Sequence, residues 1–143
     1  MIMAVASDHG GYDLKRKVVD HLTERGIKVV DLGTDNKESV DYPVFGKACA
    51  EAVVSGKAEL GMVFCGTGIG ISIAANKVKG IRCALCTSEK MAELAKQHNN
   101  ANMLALGGRI LTAEEAIAIT DAWLDADFEG GRHQRRTDML DEM

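Results

Sequence analysis

The chain has 143 residues, 46% of them hydrophobic and 27% charged, with a single proline. That suits one globular domain with one substantial core and excludes a disordered segment. A net charge of −4 argues against a broad nucleic-acid surface, and no apolar run approaches the roughly 20 residues of a membrane span.

The chain opens on a short apolar strand, Ile2–Ser7, and reaches Asp8 and His9 too soon for a signal peptide. The expected location is therefore the cytoplasm, where Cys49, Cys65, Cys83 and Cys86 stay reduced. A polar turn, Asp8 to Gly11, leads into a helix over Tyr12–Arg25, with Leu14, Val18, Val19 and Leu22 at helical spacing and Gly26 to end it. Ile27–Leu32 reads as the second strand. A longer loop, Gly33–Pro43, precedes a helix near Val44–Ser55. Leu60–Cys65 is the third strand, followed by Gly66-Thr67-Gly68-Ile69-Gly70 and a helix to about Val78. Ile81–Cys86 is the fourth strand, Ser88 caps a helix to about Gln97, and Met103–Leu106 is the fifth strand. Thr112 to Glu115 has the form of a capping box, with a helix to Leu124. Gly130 and Gly131 then break the chain before a last helix from about Arg132.

Strands alternating with helices predict a single α/β domain over residues 1–143. It should be a Rossmann-like three-layer α/β/α sandwich on a five-stranded parallel sheet. In such sheets ligands bind beyond the carboxyl ends of the strands. Asp8, His9, Cys65 and the glycine loop all belong to that edge.

The loop after Cys65 opens a helix, where free amides and the helix dipole attract anions and glycines let the backbone come close. It lacks the Lys and Ser/Thr of a Walker loop, and Ile71 holds the third glycine slot of a dinucleotide fingerprint. Cys65 ends its strand where a helix begins, a setting that favours the reactive thiolate form of cysteine. Cys49 reads as core. Cys83 and Cys86, three apart on a strand, point to opposite faces and read as core rather than as a redox or metal pair. His98 closes the fourth helix, either capping its carbonyls or serving as an acid–base group. Arg132 and Arg136 lie four apart and share a helical face, a solvated surface or a clamp for one phosphate. No set of Cys, His and carboxylates has metal-site spacing, and neither a Ser-His-Asp order nor a Gly-x-Ser-x-Gly elbow occurs.

Taken in order, these stretches resemble the ribose-5-phosphate isomerase B family, which also contains galactose-6-phosphate and allose-6-phosphate isomerases. They are Ser7 to Gly11, Asp41-Tyr42-Pro43, Cys65 to Gly70, Ala75-Asn76-Lys77, His98 to Asn102, Leu106 to Arg109 and Glu129 to His133. They run from end to end of the chain. The resemblance implies an aldose–ketose isomerase in which Cys65 moves a proton from C2 to C1 through a cis-enediol. Thr67 helps move the proton between the substrate oxygens, and the amides of Gly66, Thr67, Gly68, Ile69 and Gly70 hold the enediolate. It gives ring opening to His98 with help from Asp8, sugar binding to Asn99, and phosphate binding to His9, Arg109, Arg132 and Arg136, with Tyr42 lining the site. Some relatives place a glutamate base where Ile69 stands, so Ile69 fits the cysteine variant. Cys65 and His98 together fit an enzyme of ribose 5-phosphate rather than the galactose-6-phosphate branch, whose site residues are divided between different subunits. The resemblance implies no metal or other cofactor. It also implies a homodimer with sites shared between subunits, or a tetramer built from it. A non-catalytic nucleotide-binding module and an isomerase of another sugar phosphate are the alternatives.

A helix running back from the functional edge carries its end away from that edge. His98 is therefore expected far from Cys65 of its own chain.

Overall fold

In the computed structural model, which describes residues 1–143, the strands are β1 (Ile2–Ser7), β2 (Lys28–Asp31), β3 (Leu60–Cys65), β4 (Cys83–Leu85) and β5 (Met103–Gly107). The helices are α1 (Tyr12–Glu24), α2 (Tyr42–Val54), α3 (Ile69–Asn76), α4 (Glu89–Asn99), α5 (Ala113–Asp125) and α6 (Arg132–Asp141). The five strands form one sheet in the order β2-β1-β3-β5-β4, every pair parallel. The expected three-layer α/β sandwich is the observed one.

Side-chain alternation along the strands divides the core in two. Met3, Val5, Met62, Phe64, Leu104 and Leu106 pack on one face with Leu14, Val18 and Leu22 of α1, Ala92 and Ala95 of α4, and Ile119 and Trp123 of α5. Ala4, Ala6, Val63, Cys65, Met103 and Ala105 pack on the other with α2 and α3. The first face carries large residues. The second carries mostly small ones, matched by Cys49, Ala50, Ala52 and Ala75 on the helices that cover it. Cys86 joins the first cluster and Cys83 packs against the second, as the three-residue spacing requires.

Most elements differ from the expected bounds by one or two residues at an end, and two of these differences have a clear cause. Helix α2 begins at Tyr42, two residues earlier than the sequence suggested, because Pro43 serves as a first-turn residue rather than as the end of the loop. Strand β4 keeps three residues of the expected six. It lies at the sheet edge, and at its amino end side chains add to the backbone bonds that Asn102 and Met103 N–H donate to the Arg82 carbonyl. Asn102 Oδ1 accepts from the Arg82 amide (2.8 Å), and Asn76 Oδ1 accepts from that of Cys83 (2.8 Å).

From β1 the chain crosses to β2 on one side, and β3 takes the other side. This reversal opens a crevice between the carboxyl ends of β1 and β3. Asp8 and Cys65 stand there as neighbours.

A buried cation fixes the loop that overhangs this crevice. Lys15 of α1 is fully buried, and its ammonium donates to Asp31 Oδ1 (2.8 Å) and to the Thr34 carbonyl (2.7 Å). The loop in turn bonds to β1, with Ser7 N–H donating to the Gly33 carbonyl (2.7 Å) and Thr34 N–H to that of Ser7 (2.8 Å). Replacing Lys15 by Met keeps the apolar stem but strands both acceptors. Breaking one side of a buried pair costs roughly 3–5 kcal/mol. Water reaches Asp31, whose side chain is 32% exposed, so about 2–3 kcal/mol is expected for Lys15→Met. Urea unfolding measures it, and a loss under about 1 kcal/mol would show that the loop does not depend on this ammonium.

Candidate active site

Three glycine turns bring the carboxyl ends of β1, β3 and β5 together. A Cβ on Gly11 would overlap the carbonyl of Phe64, with the oxygen at 2.5 Å, and one on Gly108 would overlap the Gly10 carbonyl oxygen. Only glycine permits these approaches. Gly108 N–H donates to the Cys65 carbonyl (2.8 Å) and Arg109 N–H to that of Gly66 (2.8 Å), tying the β5 turn to the β3 turn. The Arg109 guanidinium lies over Gly66, where an added Cβ would sit 3.0 Å from Nη1.

Gly68 is the N-cap of α3 and adopts a left-handed conformation, φ 80°. That turn aims its N–H at Cys65 Sγ, 3.1 Å away, a donor for sulfur in its anionic form. Thr67 Oγ1 accepts from the amide of Ile69 (3.2 Å), and the Ile69 side chain lies exposed above the loop. Asp8 is buried and accepts from Gly11 N–H (3.0 Å). His9 Nδ1 accepts from Val40 N–H (3.2 Å), so its imidazole holds the overhanging loop and carries its proton on Nε2. Tyr42, at the start of α2, lays its ring against Gly70, where a Cβ would fall 2.6 Å from Cζ. Asp8, His9, Tyr42, Cys65, the 66–70 loop and Arg109 thus form one group at one edge.

The remaining residues singled out in the sequence collect elsewhere. Helix α4 ends at Asn99, two residues beyond the expected Gln97, with Asn100 as a left-handed cap. Its eleven residues at ~1.5 Å each carry the chain roughly 16 Å back along the sheet. The Asn99 and Asn100 carbonyls accept from the Arg82 guanidinium (3.0 Å each), just before β4 begins. His98 therefore lies toward the amino edge, and no hydrogen bond or ion pair links it to the first group. Its ring stacks on His133 of α6, with centroids 4.3 Å apart and planes within 9°. Arg132 and Arg136 flank His133 on α6 and are exposed.

The sequence showed no metal spacing, yet the fold gathers a set of donors around that stack. Glu129 Oε1 stands 3.6 Å from Nε2 of His98 and 3.6 Å from Nε2 of His133. Glu129 and His133 were visible only as parts of a motif, and nothing in their spacing announced His98 as a neighbour. Burial, then His98 and Arg132, hold the His133 imidazole below its ordinary pKa.

The family model described as Ribose/Galactose Isomerase matches residues 3–140. The chain belongs to the ribose/galactose isomerase family. It is similar to the ribose-5-phosphate isomerase B of Escherichia coli, 48% identical over 138 residues that span 96% of this chain and 93% of that one. A Clostridium thermocellum ribose-5-phosphate isomerase B structure superposes with a TM-score of 0.98 at 54% identity, covering 99% of this chain and 96% of that one. The Mycoplasma genitalium ribose-5-phosphate isomerase B, solved with bound ribulose 5-phosphate, gives 0.94 at 47% identity, covering 99% and 94%.

The four cysteines differ in setting. Burial pushes the Cys49 thiol up to about 12 and the Cys86 thiol up to about 11, and it raises that of Cys83 as well. Cys65 alone receives an amide at its sulfur from a loop built for anions. Limiting iodoacetamide at neutral pH is expected to label Cys65 ahead of the other three, as read by peptide mass mapping. Earlier labelling at Cys83 or Cys86 would contradict that order.

Proposed function

We propose that the protein is an aldose–ketose isomerase that interconverts ribose 5-phosphate and ribulose 5-phosphate through a cis-enediol, with Cys65 as the base. The Gly68 amide aimed at Cys65 Sγ carries this reading. Proton abstraction next to a carbonyl needs a base and, beside it, donors for the developing oxyanion. The strand end and the glycine loop supply both within one turn of chain. The bound ribulose 5-phosphate of the Mycoplasma genitalium relative supports the choice of substrate.

In the open-chain aldose, the Cys65 thiolate removes the C2 proton and the electrons pass to the C1 carbonyl oxygen. The amides of Gly66 to Gly70 stabilise that oxygen. Thr67 relays a proton from the C2 hydroxyl to the C1 oxygen, and the thiol returns its proton to C1 to give the ketose. Substrate enters as a closed furanose, so ring opening must come first. Asp8 assists it at the ring oxygens, and the acid–base group is His98 of the partner subunit. Asn99 of the partner subunit holds the sugar. His9 and Arg109 meet the phosphate together with Arg132 and Arg136 of the partner subunit, and Tyr42 closes the side of the pocket. We assign the sharing between subunits because His98 lies a helix length from Cys65 in its own chain, while the sugar is only a few ångströms long. A two-fold homodimer creates two equivalent sites of this kind. The reaction asks nothing of a metal or nucleotide, and we place it in the cytoplasm.

A panel of aldose phosphates, assayed for ketose formation, tests the activity. Ribose 5-phosphate is expected to be turned over best, and preference for a six-carbon phosphate would redirect the assignment within the family. Cys65→Ala should lower kcat by at least about 10²-fold with binding largely kept. Retention of a tenth of the rate would remove Cys65 as the base.

Subunit sharing has its own test. Inactive Cys65→Ala and inactive His98→Ala chains are mixed under conditions that allow exchange. Each mixed dimer then carries one intact site and one doubly damaged site. Up to about a quarter of wild-type activity should return, since half the dimers are mixed and each has one good site of two. No recovery after demonstrated exchange would place both residues in a single-chain site.

A further inference from the structure

Arg82 stands just before β4, and its guanidinium reaches two helices at once. Nε donates to the Asn99 carbonyl (3.0 Å), Nη2 donates to the Asn100 carbonyl (3.0 Å), and Nη1 pairs with Asp141. Asn99 ends α4, Asn100 caps it, and Asp141 ends α6. We infer that Arg82 is a positioning residue for the half-site that each subunit lends to its partner, an assignment that rests on the shared-site isomerase proposed above. One guanidinium locks the last turn of α4, with His98 and Asn99, to the helix that carries Arg132 and Arg136.

The mount of this side chain is rigid. It is only 14% exposed. The Arg82 N–H donates to Asn102 Oδ1 (2.8 Å), and the Arg82 carbonyl accepts from the amides of Asn102 (3.1 Å) and Met103 (3.4 Å). The residue is thereby fixed to the start of β5, an interior strand of the sheet. The last carbonyls of a helix have no partner within it, and a cation suits the negative end of the helix dipole. Arg82 meets both demands at α4. Beside it, Glu129 N–H donates to the Gln97 carbonyl (2.9 Å). The carbonyls on either side of His98 are thus both held from outside the helix.

Helix α6 depends on the same guanidinium. It buries only His133 and Thr137, and the hydrogen bonds of Gln134 and Thr137 stay within the helix. The His98 ring stack holds its first turn, and the pair of Asp141 with Arg82 ties its far end to the sheet. A guanidinium presents its N–H groups in a fixed planar fork, whereas a lysine ammonium is a point charge. Only the fork spans two successive carbonyls on one helix and a carboxylate on another. Misplacing a reacting group by about 1 Å costs up to about 10²-fold in rate, so a residue that sets two helix ends together acts on the reaction without touching the sugar.

Kinetics and subunit mixing test the assignment. Arg82→Met should lower kcat/KM by about tenfold to hundredfold, and Arg82→Lys, which keeps the charge, should recover little of it. Full recovery in Arg82→Lys overturns the bridging role. Asp141 is 42% exposed, so Asp141→Ala spares the fold even where Arg82→Met does not. It frees α6 alone and should raise KM for ribose 5-phosphate several-fold with kcat nearly unchanged. An unchanged KM overturns the tie to α6. Mixing shows in which half-site Arg82 acts. Arg82→Met mixed with Cys65→Ala should rise to about a quarter of wild-type activity, because each mixed dimer has one site with an intact Cys65 and an intact Arg82 behind His98. Mixed with His98→Ala it should gain nothing. A chain that is merely destabilised damages both of its half-sites and recovers with neither variant. Recovery with His98→Ala, or with neither variant while Cys65→Ala and His98→Ala restore each other, overturns the role of Arg82 and leaves the shared site standing. No recovery in that reference pair overturns the shared site, and the role of Arg82 falls with it.

Discussion

The carboxyl edge of the sheet depends on how closely three backbones approach one another. Gly11 meets the Phe64 carbonyl, Gly10 meets the Gly66 amide and Gly108 meets the Gly10 carbonyl at distances that leave no room for a side chain. These contacts place the turns after β1, β3 and β5 side by side, and the turns carry Asp8, Cys65 and Arg109. A methyl group at Gly11 or Gly108 would have to push neighbouring strands apart, because what it strikes is backbone and not a flexible side chain, and one at Gly10 would crowd the Gly66 amide. The chemistry proposed for Cys65 is thus a consequence of packing. The thiol stands where it does because the glycines of these turns let the neighbouring backbones close together beside it.

The two faces of the sheet serve this edge unequally. Large residues and Trp123, whose indole N–H donates to the Ala101 carbonyl (3.0 Å), fill the α1, α4 and α5 side. The alanine-rich side lets α2 and α3 lie close to the strands. Close packing there brings the first turn of α2, with Tyr42, against the first turn of α3 at Gly70. Lys15 adds a fixed cation under the overhanging loop, and His9 receives an amide from the same loop. A rigid scaffold on one side and a tethered loop on the other leave the crevice with defined walls.

The cluster around His98 is built on a different principle. It sits near the amino edge, where α4 ends and α6 docks, and it is held by a ring stack and a carboxylate rather than by backbone contacts. Such a group adjusts more readily than the glycine turns. This suits a region that, in the homodimer we propose, meets its counterpart across a subunit boundary.

Much of this was determined by the sequence alone. Short apolar runs for the strands, helical spacing in α1, the capping residues Ser88 and Thr112, and glycine after α1 indicated the order and kind of the elements, because these signals are local. The seven motif stretches placed the family and the residues of the crevice edge. Tertiary structure decided the rest. Pro43 begins a helix only because the chain ahead of it is free to turn into the first helical position. Strand β4 is short because its place at the sheet edge lets Asn76 and Asn102 take over its amino end. Lys15 reads as one more charged residue on an amphipathic helix until Asp31 and the Thr34 carbonyl, remote in sequence, enclose it. Glu129 and His133 acquire a relation to His98 only when α6 packs on the end of α4. Local patterns record what a segment prefers, whereas burial and ligand geometry arise between segments that only the folded chain brings together.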